Sequence, residues 1–433
     1  MSQNYNVLLL GNGAREHAIA WKISQSKFLN NLYITPGNPG TALCGTNLNI
    51  PLSNFDEIKK IIWEKDIDIV VIGPEDPLVN GFVDSIQSDK VLEKVMVIGP
   101  TQSGAMLEGS KAFAKSFMKK YNIPTAQYQS FNKNQFDDAI HFIKKLNPPY
   151  VIKADGLAAG KGVVIAQTFE EAKNTIEEMF AGKFGNASET IVIEEFLKGI
   201  EVSYFVLCNE NQYVLLPDAK DYKRIGENDT GPNTGGMGTV SPALGISTKD
   251  FTQKVIDRII QPTLNGLLAE KISYCGFIFF GLMNVNGEPY VIEYNCRLGD
   301  PETESIMLRI ESDILELFEK TWNKQLDNYT IKISDKCAAT VILASKGYPE
   351  KFEKGFPIKI ESNQIKSHIF YAGTAMKDNK LVTNGGRVLA VSSLANTLEE
   401  ALAMSYNSIE HIHFENKYFR KDIGADVLSL IKK

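Results

Sequence analysis

The stretch VIEYNCRLGDPET, residues 291–303, places a carboxylate, an amide, a guanidinium and two further carboxylates in one short segment. Side chains alternate between the two faces of a strand, so Glu293, Asn295 and Arg297 are predicted to share one face with Val291. Glu293 and Asn295 offer the oxygen ligands that Mg2+ takes, usually together with phosphates. Arg297 carries a rigid donor fork that suits phosphoryl oxygens. The pattern predicts half of a nucleotide–metal site, although an edge strand with a solvated polar face fits this segment alone equally well.

Length and composition indicate a multidomain globular protein. At 433 residues the chain exceeds one ordinary core and suggests about three domains. Its 46 basic and 52 acidic residues give a net charge of -6, without the basic excess of a nucleic-acid-binding protein. No apolar run reaches membrane-spanning length and the first residues lack a secretion signal, so we predict a cytoplasmic protein. The five cysteines form no CxxC pair, which argues against a zinc site or a disulfide framework.

The amino-terminal segment predicts a strand, a glycine turn and a helix. The apolar residues 6–10 run into Gly11-Asn12-Gly13, and a helical pattern follows. Such a turn points backbone N–H groups at an anion, and Arg15 adds positive charge. A dinucleotide fingerprint needs a third glycine where this chain has Glu16. A phosphate monoester is therefore favoured over a dinucleotide.

A glycine-rich loop joins two predicted strands further along the chain. Lys153 lies in the first strand, and the loop DGLAAGKG of residues 155–162 leads into the second. Flexible glycines let backbone amides close on phosphates, and Lys153 and Lys161 add charge. The loop is not a P-loop motif, because Gly162 follows Lys161 where that motif needs Ser or Thr. A phosphate-binding flap is favoured over a decorated hairpin.

The remaining segments predict a mixed architecture with boundaries near residues 107 and 331. Parallel strands are predicted at 67–72 and 95–98, both ending in Gly-Pro, where ligands of parallel sheets bind. The loop DTGPNTGGMG of residues 229–238 is predicted to be neither helix nor strand, because it holds four glycines and a proline. Asn286-Gly287 predicts a hairpin whose second strand is the opening stretch.

Seven motifs resemble, in order and spacing, the phosphoribosylamine-glycine ligase family of the ATP-grasp superfamily. They are GNGAREHA from Gly11, PGNPGTA from Pro36, GPEDPLV from Gly73, LEGSKAF from Leu107, VIKADGLAAGKG from Val151, DTGPNTGGMG from Asp229 and VIEYNCRLGDPET from Val291. The resemblance implies an α/β protein with a Rossmann-like domain over residues 1–106, a two-lobed ATP-grasp domain over 107–330 with its flap lobe at about 123–195, and a small mixed carboxyl-terminal domain over 331–433. It also implies a ligase of de novo purine biosynthesis that joins glycine to phosphoribosylamine through glycyl phosphate, with ATP as co-substrate.

The resemblance further implies a set of site residues. Those implied to bind ATP are Lys111, Lys153, Gly156, Gly160, Lys161, Gly162, Glu194, Glu195, Leu197 and Glu201. Those implied to bind the other substrates are Gly11, Asn12, Gly13, Arg15, Gly37, Asn38, Pro74, Glu75, Asn233, Gly235 and Arg387. The implied catalytic residues are Asp218, Lys223, Arg297 and Asp300, and the implied ligands of Mg2+ or Mn2+ are Glu293 and Asn295. The implied partners are small molecules, with no nucleic acid or membrane, and the protein is expected to be a monomer.

Two departures from the family pattern leave questions open. The family usually has Ser-Gln-Asp-His-Lys-Arg where this chain has AKDYKR at residues 219–224, so any role of that histidine passes to Tyr222 or is dispensable. The strand predicted at 277–285 carries no metal carboxylate, and Glu302 or Glu304 could supply one. A dehydrogenase, a non-catalytic nucleotide-binding regulator and a ligase for another carboxylate are the alternative functions.

Overall fold

The amino-terminal part folds into a parallel sheet flanked by helices in the computed structural model, which describes residues 4–157 and 162–432. Its elements are β1 (Tyr5–Gly11), α1 (Ala14–Ile23), β2 (Leu29–Pro36), β3 (Thr46–Asn47), α2 (Phe55–Glu64), β4 (Ile69–Ile72), α3 (Glu75–Val79), α4 (Phe82–Gln87) and β5 (Met96–Ile98). The strand order is β3-β2-β1-β4-β5. The central strands β1 and β4 are almost wholly apolar because helices cover both faces of the sheet. Their carboxyl ends, at Gly11 and Gly73, therefore meet at one edge.

Two helices connect this sheet to a separate antiparallel flap. These elements are α5 (Gln102–Gly109), α6 (Lys111–Lys120), β6 (Tyr128–Asn132), α7 (Phe136–Ile143), β7 (Tyr150–Ala154), β8 (Val163–Ala166), α8 (Phe169–Phe180) and β9 (Thr190–Glu195). The flap sheet has the order β6-β9-β7-β8, and Ile152, Ile176 and Ile193 belong to its own apolar core. The hairpin predicted around the glycine-rich loop is confirmed, since β7 pairs with β8.

The second lobe is built on a long antiparallel sheet. The elements that follow are β10 (Ile200–Asn209), β11 (Gln212–Leu215), β12 (Lys220–Asp221), β13 (Arg224–Gly226), β14 (Thr230–Asn233), β15 (Gly238–Ser241), α9 (Lys249–Val255), a π-helical turn (Ile256–Ile260), α10 (Gln261–Ala269), β16 (Cys275–Val285), β17 (Glu288–Asn295), α11 (Glu302–Arg309) and α12 (Ile314–Trp322). The strand order is β11-β10-β16-β17. The predicted Asn286-Gly287 hairpin is confirmed as the connection between β16 and β17.

A β-bulge in β17 corrects the predicted face of the opening stretch. Leu282 pairs with Val291 and Gly281 pairs with Glu293, so Ile292 has no partner of its own. The extra residue reverses the alternation of side chains. Val291 consequently points into the core, while Glu293 and Asn295 keep a common face. The prediction that Val291 shares that face was wrong, because strict alternation holds only for a regular strand.

The carboxyl-terminal strands form a sheet with strands from the middle of the chain. The last elements are β18 (Cys337–Ser345), β19 (Lys359–Ile360), β20 (His368–Tyr371), β21 (Thr374–Lys377), β22 (Lys380–Thr383), β23 (Arg387–Ala395), α13 (Leu398–Ile409), β24 (Ile412–His413), β25 (Lys417–Tyr418) and α14 (Ala425–Ile431). The order β12-β15-β18-β23-β20 joins segments on both sides of residue 331. We keep 1–106, 107–330 and 331–433 as proposed domain limits, with this sheet shared across the second one.

The glycine-rich segment after β12 contains more regular structure than predicted. β13 pairs with β14 in a two-stranded ribbon that includes Gly231 and Pro232. The prediction of a loop without strand was wrong for residues 230–233, because an isolated edge strand tolerates proline. Short 3-10 turns occur at Thr41–Leu43, Lys133–Gln135, Gly185–Ser188, Glu227–Asp229 and Ser362–Gln364. Across residues 4–157 and 162–432, none of the helices combines the length and apolar character that crossing a bilayer requires.

Candidate active site

Glu293 and Asn295, at the end of β17, lie within a group of cationic side chains. Lys223 Nζ is 3.7 Å from Glu293 Oε1. Burial raises the pKa of Glu293, but Lys223, Lys153, Lys111 and Arg297 together hold it below its usual value. Glu293 is therefore ionised at neutral pH, as a metal ligand must be.

The residues present fit a divalent cation carried with phosphates. The side-chain amide nitrogen of Asn295 is buried and has no hydrogen-bond partner, so it can donate to a phosphate oxygen while the amide oxygen serves as a metal ligand. No three His, Cys, Asp or Glu side chains form a metal-binding group within the part of the chain that the structure describes. Mg2+ is commonly held by one or two protein groups plus substrate phosphates. Glu293 and Asn295 meet that requirement without further carboxylates.

Lys111 and Lys153 approach the glycine-rich loop from two elements. Lys111 Nζ donates to the carbonyl oxygen of Gly156 at 3.1 Å. Burial lowers the pKa of Lys111, and Glu293 is the main group that opposes this effect. Gly162 accepts a hydrogen bond from Ala154 N–H at 2.8 Å, while the predicted residues Gly160 and Lys161 lie outside the described residues. Lys153 Nζ, on β7, lies 2.8 Å from the Glu194 carboxylate and donates to the carbonyl oxygen of Ile292 at 3.2 Å.

The predicted nucleotide-base residues lie on the segment that joins β9 to β10. Glu194 is buried, and its two carboxylate oxygens are each 2.8 Å from a lysine, Lys115 or Lys153. Glu195 accepts a hydrogen bond from the backbone N–H of Gln127 at 2.8 Å. The carboxylate of Glu194 is thus committed to ion pairs, while the half-buried Leu197 and the segment around it stay accessible.

Glu201, one of the residues implied to bind ATP, pairs with Lys223 of the cationic group. Its Oε2 is 2.8 Å from Lys223 Nζ. Burial lowers the pKa of Lys223, but Glu201, Asp221 and Glu293 raise it well above its usual value. Lys223 therefore remains a cation between Glu201 and Glu293.

Arg297 is clamped between two carboxylates from separate elements. Its Nε lies 3.2 Å from Glu75 Oε2, and its Nη2 lies 2.8 Å from Glu108 Oε1. Glu108 also accepts the backbone N–H of Cys296 at 2.8 Å, and burial raises its pKa to about 7. Sequence reasoning missed Glu108, for which its place in the LEGSKAF motif was the available signal. Glu75, at the start of α3, thus supports Arg297, and neither Pro74 nor Glu75 lines the cleft described below.

A cleft of about 670 Å³ separates the amino-terminal sheet from the carboxyl-terminal strands. Six of the predicted residues line it, namely Asn12, Gly13, Gly37, Asn38, Asp300 and Arg387. The opposite wall includes Tyr348 and Gly373, which sequence reasoning did not name, together with Asn384. Because Asp300 follows Arg297 by three residues, the segment after β17 connects the cationic group to this cleft.

Arg387 fixes the glycine-rich segment against the cleft. Its Nη1 donates to the carbonyl oxygens of Gly235 at 2.6 Å and Asp300 at 2.8 Å, and it lies 3.1 Å from the Asp300 carboxylate. Gly235 N–H in turn donates to Tyr348 Oη at 3.0 Å. Asn233 ends β14 and does not line the cleft. The predicted Arg387 anion contact is therefore occupied partly by protein groups.

Glu16 occupies the space that a dinucleotide pyrophosphate needs at the start of α1. Its Oε2 accepts the Gly13 N–H at 2.6 Å, and its Oε1 pairs with Arg15 Nε at 2.6 Å. A Cβ atom at Gly11 or Gly73 would lie 2.3 Å or 2.2 Å from the Glu16 side chain. These glycines make room for Glu16, so they do not line the cleft. A buried carboxylate at the helix start opposes a second anion there, which disfavours the dehydrogenase alternative.

Two buried acids beyond Asp300 are poor candidates for a second metal carboxylate. Burial raises the pKa of Glu302 to about 8 and that of Glu304 well above its usual value. Glu304 is fully buried and both its carboxylate oxygens lack a hydrogen-bond partner. Both environments favour the neutral acid, whereas a metal ligand is ionised.

Asp218 and Tyr222 point away from the cationic group. The Asp218 carboxylate accepts the backbone N–H of Ala243 at 2.8 Å. Tyr222 is buried, and its hydroxyl lies 2.5 Å from Asp426 Oδ1 of α14. Lys220 Nζ lies 3.8 Å from the centroid of the Tyr222 ring and 3.0 Å from the Asp426 carboxylate. Tyr222 therefore faces α14, which favours the second of the two alternatives, that the histidine's role is dispensable.

Three family models match the chain in succession. They are the phosphoribosylglycinamide synthetase N domain at residues 5–108, the ATP-grasp (A) domain at 109–303 and the C domain at 338–426. The chain belongs to the phosphoribosylglycinamide synthetase family. This result confirms the resemblance and the fold expected from the motifs, including the ATP-grasp architecture.

Relatives within the family cover nearly the whole chain. A phosphoribosylamine-glycine ligase from Fusobacterium nucleatum is 44% identical over 424 residues, covering 97% of this chain and 98% of that protein. One from Escherichia coli K12 is 43% identical over 425 residues, covering 96% and 97%. The crystal structure of the Thermotoga maritima enzyme is 38% identical with a TM-score of 0.84, covering 96% of this chain and 100% of that one.

A more distant structure shares the fold. The biotin carboxylase domain of Hydrogenobacter thermophilus 2-oxoglutarate carboxylase has a TM-score of 0.72 at 16% identity, covering 100% of this chain and 95% of that one. At this identity the likeness concerns the fold alone.

Proposed function

We propose that the protein is a phosphoribosylamine-glycine ligase, which uses ATP to join glycine to phosphoribosylamine and releases ADP and phosphate. The observation that carries the proposal is the segment after β17. It places Glu293 and Asn295 in the cationic group, Arg297 between Glu75 and Glu108, and Asp300 in the cleft. One continuous segment thereby serves phosphoryl transfer at one end and amide formation at the other.

ATP binds between the flap and the second lobe in this proposal. The segment around Leu197 borders the adenine, and the Glu201 carboxylate accepts a hydrogen bond from a ribose hydroxyl group. Lys111 and Lys153 contact the phosphates beneath the glycine-rich loop. Glu293 and Asn295 hold Mg2+ or Mn2+, which supplies neutralising charge to the transferred phosphoryl group.

The chemistry needs positioned charge and no protein nucleophile. A glycine carboxylate oxygen attacks the γ-phosphorus of ATP, and the bond to the ADP oxygen breaks to give glycyl phosphate. Arg297 contacts Glu75, Glu108 and the Leu298 carbonyl oxygen. The remaining N–H groups of its guanidinium stabilise the charge on the phosphoryl oxygens. The phosphoribosylamine nitrogen then attacks the glycyl carbonyl, loses a proton and displaces phosphate. Closure of the flap excludes water, which would otherwise hydrolyse the acyl phosphate.

The cleft supplies the second substrate in this scheme. Asn12, Gly13, Gly37 and Asn38 line the side of the cleft where phosphoribosylamine binds in this scheme. Asp300 and Arg387 lie on the side nearer the acyl phosphate. We further propose that the protein acts as a cytoplasmic monomer on small molecules alone.

The test is ADP release by the parent protein with ATP, Mg2+, glycine and freshly generated phosphoribosylamine, each omitted in turn. We expect release to require both other substrates, and we expect Glu293→Gln to lower the rate by about 100-fold or more because it removes the charged metal ligand. Glu288→Gln is the matched control, since Glu288 lies on the same strand but pairs with the surface residues Lys254 and Arg258.

Other outcomes discriminate among the alternatives. Release that requires a different carboxylate in place of glycine would indicate a sister ligase. Absence of ADP release with every mixture would contradict the proposal and favour a nucleotide-binding regulator.

A further inference from the structure

Lys115 is a buried cation that the proposed chemistry does not use. It lies on α6, one turn after Lys111, and only 2% of its side chain is exposed. Its Nζ donates to Glu194 Oε2 at 2.8 Å and to Thr125 Oγ1 at 2.6 Å. A lysine is rarely buried unless its charge is paired, so the groups that pair with Lys115 indicate what its burial achieves.

The contacts of Lys115 continue in two directions that meet at β17. Through Glu194 it is linked to Lys153, whose Nζ donates to the carbonyl oxygen of Ile292 at 3.2 Å. Through Thr125 it is linked to Val291, because the Thr125 hydroxyl donates to the Val291 carbonyl oxygen at 2.7 Å. The two routes close a ring of polar contacts around adjacent peptide groups.

Those two peptide groups belong to the β-bulge that sets the direction of Glu293. A bulged residue leaves the regular ladder, so its carbonyl needs a partner elsewhere. Lys153 supplies that partner at Ile292, and Thr125 supplies it at Val291. The ring therefore holds the backbone immediately before the proposed metal ligand.

The ring of polar contacts contains two lysines, Lys115 and Lys153, and one carboxylate, Glu194. Glu194 balances only one of the two lysines that contact it. Burial lowers the pKa of Lys115 to about 8 against the opposing effect of Glu194, while Lys153 lowers it further and Glu195 raises it. The aromatic side chain of Tyr128 lies beside the Lys115 ammonium group, with its ring centroid 5.7 Å from Lys115 Nζ.

We propose that Lys115 is a positioning residue for the nucleotide–metal site, acting on Lys153 through Glu194 and on the Glu293 bulge through Thr125. The inference rests on the proposed use of ATP and adds a residue that touches neither the nucleotide nor the metal. It predicts that Lys115 and Thr125 act together on MgADP affinity.

The experiment measures MgADP binding to the full-length protein by calorimetric titration. Lys115→Met and Thr125→Val are expected to raise the dissociation constant about 10–100-fold, the range typical of residues that orient a metal ligand. Thr125→Ser keeps the hydroxyl and should bind within about threefold of the parent. Lys119→Met, an exposed lysine on the same helix, is the matched control.

The outcomes separate positioning from simple structural support. A structural lysine would lower the unfolding temperature without changing MgADP affinity where the variant is folded, and that result would overturn the proposal. If Lys115→Met does not fold, Thr125→Val decides, and parent-like binding by Thr125→Val would also overturn it. Binding of MgADP by a parent that never releases ADP with glycine and phosphoribosylamine would contradict the proposed function while still deciding this inference. A parent that binds no MgADP would overturn both.

Discussion

At the scale of single residues, the site depends on which charges each side chain meets. Glu293 and Glu302 are acids on the same segment, yet their pKa values move in opposite directions. Lysines surround Glu293, whereas burial, and after it the negative charge of Asp221, raises the pKa of Glu302. Opposite charges favour the ionised acid and burial favours the neutral one, so only Glu293 suits a cation.

Arg297→Lys tests whether the planar guanidinium is required. A lysine has one ammonium group and cannot reach Glu75 and Glu108 while also presenting donors to a phosphoryl group. We expect kcat to fall by about 100–1,000-fold, the usual effect of losing a donor to a charge that develops in the reaction. Steady-state kinetics with saturating glycine measures the effect.

Arg258→Lys provides the control for this substitution, because Arg258 pairs with Glu288 at the surface. It should leave kcat unchanged. A rate for Arg297→Lys close to that of the parent would remove Arg297 from the proposed chemistry.

At the scale of elements, the side chains of β12 and of the two residues after it point alternately towards the candidate site and towards α14. Asp221 and Lys223 face the cationic group, while Lys220 and Tyr222 face α14. Lys220 and Tyr222, two of the positions expected to differ from the family's usual residues, therefore meet a common partner, Asp426.

Tyr222→Phe is expected to lower stability without impairing catalysis. The change removes a hydrogen bond to a carboxylate, which contributes about 2 kcal/mol to the free energy of unfolding. We expect kcat and the KM for ATP to change by less than about threefold, because the ring faces away from Lys223 and Glu293. Urea unfolding and steady-state kinetics of the same preparations measure both effects.

Asp426→Asn completes a double-mutant cycle with Tyr222→Phe, and the two losses should be less than additive if they share one contact. A large fall in kcat with unchanged stability would mean that Tyr222 does serve the site.

At the scale of the whole molecule, the cleft is held by contacts between the amino-terminal domain and the last strands. His17 Nδ1 accepts the backbone N–H of Tyr371 at 2.8 Å, and Asn38 Nδ2 donates to the Tyr371 carbonyl oxygen at 2.7 Å. The backbone N–H and the carbonyl group of Tyr371 in β20 are thus both fixed by residues of the amino-terminal domain. Ala372 and Gly373, which line the cleft, come directly after Tyr371 in the chain.

This contact predicts a pH dependence of stability. Burial lowers the pKa of His17 to about 4, below its ordinary value of 6.5. Between pH 6.5 and 4 the unfolded chain binds more protons at His17 than the folded protein does. The stability that neutral His17 contributes to the folded protein is therefore complete above pH 6.5 and is lost as the pH falls towards 4. Between pH 7.5 and 5 we expect His17 to account for a loss of about 2 kcal/mol.

His17→Asn isolates that contribution, because its side-chain oxygen can replace Nδ1 as the acceptor but does not titrate. Urea unfolding of both proteins at the two pH values should show the smaller loss for the variant. Equal losses would show that His17 does not titrate with unfolding.

Sequence patterns predicted well where neighbouring residues decide the structure. The hairpin at Asn286-Gly287 and the flap strands around the glycine-rich loop were confirmed. Alternation failed at Ile292, because a bulge depends on the partner strand and on Lys153. Gly11 was predicted to belong to a turn that binds an anion, yet the space beside Gly11 is filled by the side chain of Glu16.

The sequence by itself determined the family, the α/β architecture and the residue types of the candidate site, since local periodicity and ordered motifs carry that information. Only the tertiary structure decided how the charges are paired. Glu194 meets Lys115 across 79 residues, and Glu108 meets Cys296 across 188. Such contacts depend on how separate elements pack in the fold, and burial then sets the protonation of each acid. The pattern of residues along the chain predicts neither the pairing of distant charges nor the protonation that burial sets.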